Sequence, residues 1–367
     1  MAEPLKNSFN AEFFNRLESG LLTVYPEFKY QKFCGELFNA DWDEMELKAR
    51  MHHLAKTLGA FLPDDPTLSI PLIVRLAGQL QKNNPGLSFA YMFIPDFIKE
   101  FGLGHIEISI SAMEKITQFT SCEFAVRHFI LKDKERMLDQ MLQWSGHAHA
   151  HVRRFSSEGC RPRLPWAIGI DFLKKDPSPI LPILKNLKED PSEFVRKSVA
   201  NNINDISKDH PALVISLVKK WKGKSSDTDW ILKHGSRSLL KAGNPEILDL
   251  FNLKYTNALK IKNLEVLTPI VQIGHELLFR FTLENNSKVQ ELIRVEYQIF
   301  YQRSNGTYSR KIFKITERVF EKQSQTEIVR KHSFRPITTR KYYPGIHKLT
   351  LVLNGQAFPE MTFQLQP

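Results

Sequence analysis

The segment 153–166, RRFSSEGCRPRLPW, combines side chains that bind phosphate, stabilise positive charge and stack on flat rings. Four arginines lie within eleven positions of it: Arg153, Arg154, Arg161 and Arg163. Guanidinium groups bind phosphate oxygens in pairs, and a carboxylate such as Glu158 stabilises a cation that faces it. The indole of Trp166 can stack on a nucleobase or on a cationic ring. The segment therefore predicts a site for a phosphate-rich ligand with a positively charged group.

Glu158 has two interpretations. AHVRRFSSE predicts a helix that ends at Gly159, so Glu158 would lie in the last turn. A carboxylate there opposes the negative end of the helix dipole, which costs about 0.3–1 kcal/mol when it is exposed. Glu158 is either a surface glutamate paired with a neighbouring arginine or a carboxylate that faces a cationic substrate.

Glu123 and Trp166 are two further candidate site residues, and each could instead have a purely structural role. Thr120 and Glu123 have the spacing of a capping box, in which the glutamate binds a backbone donor of its own helix. Glu123 could equally face a binding groove from the first turn of that helix. Trp166, after Pro165, is either a core residue between helix pairs or a ring that a kinked connection presents to the ligand.

The sequence of residues 1–256 predicts helices, and these helices must position the candidate side chains. In DPSEFVRKSVANNINDISKDHP, Asp190 is the expected N-cap. Apolar residues recur there at helical spacing, at Val195, Val199, Ile203 and Ile206. A second, polar stripe follows another face, at Lys197, Asn201, Asn204 and Lys208.

A repeat supports a helical stack. Pro177, Pro211 and Pro245 lie 34 residues apart, and each begins an apolar helical pattern after a short polar turn. Periods of this length are typical of α-solenoids, whose units bury their apolar faces against one another. The expected fold class is mostly α, with a HEAT-like solenoid whose concave surface suits a long ligand.

After residue 257 the pattern alternates with a period of two, as in Leu277, Phe279, Phe281 and Leu283. The same alternation runs through 293–301, and Asn305-Gly306 and Asn354-Gly355 predict tight turns. We therefore expect residues 257–367 to form a small immunoglobulin-like β-sandwich.

The net charge of +11 is concentrated in that second part. Residues 257–367 hold 17 basic and 9 acidic side chains, a net charge of +8. Excess positive charge favours a nucleic acid partner, although a solvated basic surface is the alternative.

Several function classes lack support. The three cysteines, Cys34, Cys122 and Cys160, match no disulfide or zinc spacing, so a reduced, cytoplasmic compartment is expected. The start resembles no signal peptide, and the most apolar stretch, SIPLIVRLAG, is too short to cross a membrane. His147, His149 and His151 do not have ligand spacing, so no metal and no other cofactor is expected. Motifs for nucleotide, dinucleotide and serine-hydrolase chemistry do not occur.

Several of these stretches resemble the AlkC-type alkylpurine DNA glycosylases of the HEAT-like AlkC/AlkD superfamily. They are MAEPLKN at 1–7, ELKAR at 46–50, SCEFAVRHFI at 121–130, HVRRFSSEGCRPRLPWA at 151–167 and VRKSVANNINDISKDHP at 195–211. The sequence after residue 257 is similar to the immunoglobulin-like C-terminal domain in one branch of that family.

The resemblance implies hydrolysis of the N-glycosidic bond of N3-methylated bases, chiefly 3-methyladenine and also 3-methylcytosine, in double-stranded DNA. By position, Glu123 and Glu158 would be the active-site carboxylates and Trp166 the aromatic residue beside the lesion. DNA contacts are expected from the four arginines and from Arg196, Lys197, Asn201, Asp205 and Arg237.

The chemistry agrees with this expectation, because an N3-methylated base is already cationic and leaves without a strong general acid. Carboxylates would stabilise the developing oxocarbenium charge and orient water. We expect a monomer with a glycosylase domain at 1–256 and a DNA-contacting sandwich at 257–367, which together grip bent DNA. The alternative is a non-catalytic DNA-binding or scaffold protein with the same two architectures.

Overall fold

A computed structural model describes residues 4–39, 41–83, 89–337 and 340–367. The chain forms two compact units, Met1–His210 with Trp221–Gly235, and Pro211–Lys220 with Ser236–Pro367. The change from helices to strands falls between residues 250 and 259, close to the predicted position. The boundary between the compact units does not coincide with the change from helices to strands. Three helices that precede this change belong to the same unit as the strands.

The first unit is built from helices. Its first seven are α1 (Ala11–Val24), α2 (Tyr30–Leu37), α3 (Leu47–Gly59), α4 (Pro66–Asn83), α5 (Phe93–Gly102), α6 (Ile106–Ile116) and α7 (Val126–Lys132). The following helices are α8 (Lys134–Trp144), α9 (Ala150–Gly159), α10 (Asp171–Lys175), α11 (Leu181–Leu187), α12 (Glu193–Ile206) and α14 (Ser226–Gly235). The second unit contains α13 (Pro211–Trp221), α15 (Arg237–Ala242) and α16 (Pro245–Leu250).

Helices of the first unit pack in a repeating order along the chain. Helix α3 packs on α5, α4 on α6, α9 on α12, and α12 on α14. The predicted stripe of α12 is the reason for its two contacts, since Val195, Val199, Ile203 and Ile206 are all buried. Pro177 caps a short 3₁₀ turn that leads into α11, and Pro211 and Pro245 are the first residues of their helices. The predicted helical architecture and its proline-marked helix starts are confirmed.

Helix α9 is the element that presents the candidate carboxylate. His149 caps its N-terminus, Val152 and Phe155 are buried, and the helix ends at Gly159, as the sequence predicts. A β-carbon on Gly159 would lie 2.7 Å from Cγ1 of Val126, so only glycine lets α9 end this close to α7. The end of α9 is therefore fixed by packing.

The start of α12 differs from the prediction. Asp190 was the expected N-cap, but the helix begins at Glu193 with Ser192 in the cap position. The Asp190 carboxylate instead accepts a hydrogen bond from the Ser192 N–H at 2.8 Å and pairs with Arg153. Asp190 therefore organises the turn before the helix.

The strands of the second unit form an immunoglobulin-like sandwich. They are β1 (Leu259–Val266), β2 (Ile270–Gln272), β3 (Glu276–Asn285), β4 (Glu291–Gln302), β5 (Tyr308–Phe320), β6 (Ser324–Ser333), β7 (Gly345–Leu353), β8 (Gln356–Ala357) and β9 (Met361–Gln366). One sheet has the order β1-β3-β6, and the other has the order β2-β9-β7-β4-β5 with β8 paired to β7. The strands pair antiparallel except β2 with β9. The predicted turns at Asn305-Gly306 and Asn354-Gly355 join β4 to β5 and β7 to β8.

Strand β4 departs from a simple half-buried pattern. Its predicted inward residues, from Ile293 to Tyr301, are buried, but Arg294, Glu296 and Gln298 on the other face are buried as well. The Arg294 guanidinium lies 2.6 Å from the Glu296 carboxylate and 2.8 Å from that of Glu317. Ion pairing therefore makes burial of the polar face possible.

None of the helices in the described ranges is long and apolar enough to cross a membrane.

Candidate active site

A continuous chain of ion pairs joins α9 to the loop before α7 and to α12. Nη1 of Arg161 lies 2.6 Å from Oε1 of Glu158, and Nε of Arg161 lies 2.9 Å from Oδ2 of Asp205. Nη2 of Arg154 lies 3.7 Å from the same Glu158 oxygen, and its Nη1 binds Glu123. We call these five residues the carboxylate–guanidinium chain. It unites Glu123, Glu158 and Asp205, which the sequence analysis selected separately.

The centre of this chain is withdrawn from solvent. Glu158 is 5% exposed, Arg161 7% and Asp205 1%. Burial alone would lower the pKa of the Arg161 guanidinium, but the charges of Glu158 and Asp205 more than offset it, so the pKa is raised. Buried ion pairs are costly to assemble, and removing one partner leaves an uncompensated charge. Glu158 is ion-paired, as one interpretation predicted, but it is not a surface residue.

Glu123, at one end of the carboxylate–guanidinium chain, lines a cleft of about 260 Å³. Ser121 donates a hydrogen bond to Oε2 of Glu123 at 2.7 Å, and Arg154 lies 4.8 Å over the ring of Phe194. The other lining residues are mainly apolar or hydroxyl-bearing: Phe89, Met92, Thr117, Phe119, Thr120 and His151. The predicted capping box does not form, because α7 begins only at Val126 and the Glu123 N–H is 3.4 Å from the Ser121 hydroxyl. Glu123 faces a cleft, as the alternative proposed.

A second cleft, of about 290 Å³, contains Trp166. Its lining includes Lys48, Asp96, Phe124 and Ile168, and Met92 lines both clefts. Asp96 is held by Lys99 at 2.6 Å and by His52 at 2.9 Å. Both clefts therefore border the loop that contains Glu123 and Phe124.

Trp166 is an exposed residue, so of its two interpretations the core tryptophan is excluded. It is 57% exposed, and its ring centroid lies 6.2 Å from that of Phe89. Its φ of 66° is in the left-handed region, which costs a non-glycine residue about 1–3 kcal/mol. Such a conformation persists only where the surroundings impose it.

Arg127 holds the backbone on both sides of Trp166, and sequence reasoning did not select it. Its buried guanidinium donates to the carbonyls of Ile168 at 2.6 Å, Arg161 at 2.7 Å and Gly159 at 3.1 Å. Burial lowers its pKa to about 10. Arg127 thus joins both ends of the segment that contains Trp166. Its place in SCEFAVRHFI is the one sequence signal that could have drawn attention to it.

The arginines predicted to contact DNA are engaged within the protein. Arg153 pairs with Asp190 at 2.6 Å, and Arg163 pairs with Asp209 at 2.7 Å. Arg161, expected to hold phosphate, is instead buried between two carboxylates. The side chain of Arg163 remains 37% exposed, so it can still reach a phosphate.

The predicted DNA-binding residues of the later helices occupy different environments. Arg196 donates to the Asp190 carbonyl at 2.7 Å, and Lys197 pairs with Glu193 while 56% of its side chain is exposed. Asn201 is half-buried on α12, and Arg237 begins α15. Their DNA contacts stay predictions.

The three histidines at the start of α9 bind backbone groups. Nδ1 of His147 accepts from the His149 N–H, Nδ1 of His149 accepts from the His151 N–H, and His151 lies 3.1 Å from the Gln118 carbonyl. They do not form a group of three potential metal ligands with any other such side chain of the described residues.

A buried cysteine lies close in sequence to each of the two glutamates, Glu123 and Glu158. Cys122 precedes Glu123, Cys160 follows Glu158 by two residues, and both are fully buried. Burial raises the pKa of Cys160 to about 12 and that of Cys122 well above its ordinary value.

Comparisons with known proteins agree with this architecture. Residues 110–239 match the DNA alkylation repair enzyme family, and residues 260–367 match the family described as "Uncharacterised protein YhaZ, C-terminal Ig-like domain". The chain is 40% identical to the uncharacterised protein YhaZ of Bacillus subtilis (strain 168), over 98% of this chain and 99% of that protein.

Among solved structures, the chain is similar to the Pseudomonas fluorescens alkylpurine DNA glycosylase AlkC bound to DNA that contains an abasic-site analogue. The identity is 36%, each chain is covered completely, and the TM-score is 0.93. The chain therefore belongs to the AlkC-type DNA glycosylases of the DNA alkylation repair family.

Proposed function

We propose that this protein removes N3-methylated bases, 3-methyladenine foremost and 3-methylcytosine as well, from double-stranded DNA. The observation that supports this most is the carboxylate–guanidinium chain, in which Arg154 links the buried Glu158 to Glu123, and Glu123 lines a cleft large enough for a base. The similarity to AlkC adds to it, because that protein's structure contains DNA with an abasic-site analogue, the product type of base excision.

The chemistry demands little acid catalysis. A base methylated at N3 carries a positive charge and departs as a neutral molecule, so no proton needs to be delivered to it. Positive charge then develops on the deoxyribose, and a nearby carboxylate lowers the free energy of that transition state. Water completes the reaction at the sugar carbon, and the net result is hydrolysis of the C–N bond.

Glu158 is the residue that we propose as the main electrostatic stabiliser. Among the described residues, its hydrogen bond and ion pairs are made at Oε1, so Oε2 is the oxygen that we propose faces water or the sugar. Arg154 and Arg161 hold the carboxylate in one orientation, so the enzyme spends no free energy on ordering it during the reaction. Glu123, at the cleft wall, is the second carboxylate that can orient water.

Trp166 is the aromatic residue that we propose lies against the cationic base. Its indole is exposed, and an electron-rich ring face attracts a methylated base more strongly than a neutral one. Arg161 is buried between Glu158 and Asp205, so we propose that it holds these carboxylates and does not contact phosphate.

The test is chromatography of the bases released from dimethyl-sulfate-treated DNA. We expect the wild type to release 3-methyladenine, and Glu158→Gln to release it about 10²–10³-fold more slowly, because one preorganised charge is lost. Binding to abasic-site DNA should persist in that variant. Glu193→Gln, which removes an exposed paired carboxylate from α12, is the matched control and should match the wild type.

Two results would contradict the proposal: a wild-type protein that releases no methylated base, or a folded Glu158→Gln variant that releases it at the wild-type rate. Thermal unfolding must accompany the assay, since Glu158→Gln leaves Arg161 with Asp205 as its remaining carboxylate partner.

A further inference from the structure

The segment 160–168 is held through its backbone. It contains no regular helix or strand, yet three carbonyls within or beside it accept hydrogen bonds from Arg127. A fourth, that of Trp166, accepts a hydrogen bond of 2.7 Å from Nζ of Lys48. Because the indole is mostly exposed, packing contributes little to its orientation. The backbone contacts therefore fix the direction of the Cα–Cβ bond from which the ring projects.

Lys48 is well placed to hold the backbone of Trp166. It lies on α3 between Leu47 and Met51, both of which are buried and anchor that turn of the helix. Its ammonium group is also 5.7 Å from the centroid of the Phe124 ring, which lines the same cleft as Trp166. A charged donor to a carbonyl is a strong hydrogen bond, and here it acts on the residue in the left-handed conformation.

We propose that Lys48 is a positioning residue, which acts on base release by fixing the backbone of Trp166. This inference rests on the proposed function and names a role within it. Arg127 holds the ends of the segment, whereas Lys48 holds its exposed tip, so Lys48 is the more informative residue to change. Because Lys48 is exposed, its replacement should leave the fold intact.

A competing explanation is that Lys48 only attracts DNA phosphates. Lys48→Met retains the aliphatic stem and removes the donor, while Lys56→Met removes the same charge from an exposed position eight residues later on α3. As a positioning residue, Lys48 changes the single-turnover rate of base release and leaves the Kd for abasic-site DNA within about twofold. We expect the rate to fall about tenfold to a hundredfold in Lys48→Met, with Lys56→Met unchanged and Lys48→Arg substantially restored.

A double-mutant cycle separates the two explanations further. If Lys48 acts through Trp166, then Lys48→Met should slow a Trp166→Ala enzyme little or not at all, so the two effects are not additive. Additive effects, or a weaker Kd with a salt dependence reduced by about one phosphate contact, would overturn the proposal.

A spectroscopic readout reports the ring directly. The chain has five tryptophans, so 5-fluorotryptophan labelling gives a small set of ¹⁹F resonances, and Trp166→Phe identifies the one from residue 166. Lys48→Met should shift or broaden that resonance, and Lys56→Met should not. An active wild type with an unchanged resonance and rate in Lys48→Met would refute the positioning role alone, whereas an inactive wild type would refute the proposed function.

Discussion

Trp166 has a backbone conformation that glycine would adopt at lower cost, although a large aromatic side chain occupies the position. The opposition between local conformational preference and side-chain identity is typical of residues retained for a task rather than for stability. The two contributions can be separated by substitution, because glycine and alanine both remove the ring but differ in their access to positive φ.

We expect Trp166→Gly to be about 0.5–1 kcal/mol more stable than Trp166→Ala, since relief of the left-handed strain exceeds the entropy that glycine adds to the unfolded chain. Both variants should lose base release to a similar extent. Urea denaturation of the two variants measures the difference, and an alanine variant of equal or greater stability would show that the backbone is not strained.

At the residue scale, the sequence selected candidate residues more successfully than it predicted their contacts. Residue types and spacing selected Glu123, Glu158 and Trp166, and the structure places all three beside the two clefts or their connecting ion pairs. Local rules failed at Glu123, where a serine hydroxyl and an arginine replace the capping box. Partners such as Lys48, 118 residues away from Trp166, lie beyond the reach of any periodicity.

Elements with one buried face were the most predictable. The apolar stripe of α12 and the alternation of β3 both match the burial that the structure shows. Strand β4 was not predictable in the same way, because Arg294 and Glu296 look like solvent-facing residues until Glu317 of the neighbouring strand is brought beside them. The ion pair between Arg294 and Glu317 depends on how β4 and β5 pair, which the pattern of a single strand does not reveal.

Strand β6 contains a histidine that makes the sandwich sensitive to pH. His332 is buried, and its two ring nitrogens lie 2.8 Å from the hydroxyls of Tyr297 and Tyr301. Burial, assisted by the charges of Arg340 and Arg330, lowers its pKa to about 4 from an ordinary 6.5. Between these two values the unfolded chain binds a proton that the folded chain does not, so stability falls as the pH decreases.

We expect His332 to contribute on the order of 3 kcal/mol to the loss of stability between pH 6.5 and pH 4. In His332→Gln, which cannot take up the proton, urea denaturation should show a smaller decrease over this range than in the wild type. The exposed His275→Gln is the control, and its decrease should equal that of the wild type. An equally steep decrease in His332→Gln would contradict the assignment.

For the molecule as a whole, the excess charge has two explanations. Strand β5 lies at the edge of its sheet and presents Arg310, Lys311, Lys314 and Arg318. Charged side chains on an edge strand prevent pairing with other chains, so they need no nucleic acid to justify them. We propose that they also contact the phosphate backbone, in keeping with the net charge of this part of the chain.

Deletion of the sandwich is a poor test of that proposal. Helices α15 and α16 belong to the same compact unit, where a β-carbon on Gly355 would lie 2.5 Å from the Leu248 side chain. Asn354 also binds the Lys254 carbonyl at 3.3 Å. A chain that ended at residue 256 would expose the helix surfaces that pack there, so substitutions at the surface are preferable.

Arg310→Gln with Lys314→Gln should lower the slope of log Kd against log salt by about two, if each side chain neutralises one phosphate. The matched pair Lys260→Gln and Lys262→Gln on β1 removes the same charge and should leave the slope close to that of the wild type. Equal changes in both pairs would indicate a general effect of net charge, and aggregation of the β5 pair alone would favour edge protection.

The burial of Cys122 and Cys160 affects how readily methylating agents can modify these two side chains. Reagents that methylate DNA also methylate cysteine, and the thiolate is the form of cysteine that reacts with them. Burial raises the pKa of Cys160 to about 12, so its thiol is protonated at neutral pH. Burial therefore keeps both thiols in the protonated, less nucleophilic form, and we expect the two cysteines beside Glu123 and Glu158 in the sequence to react slowly with a methylating agent.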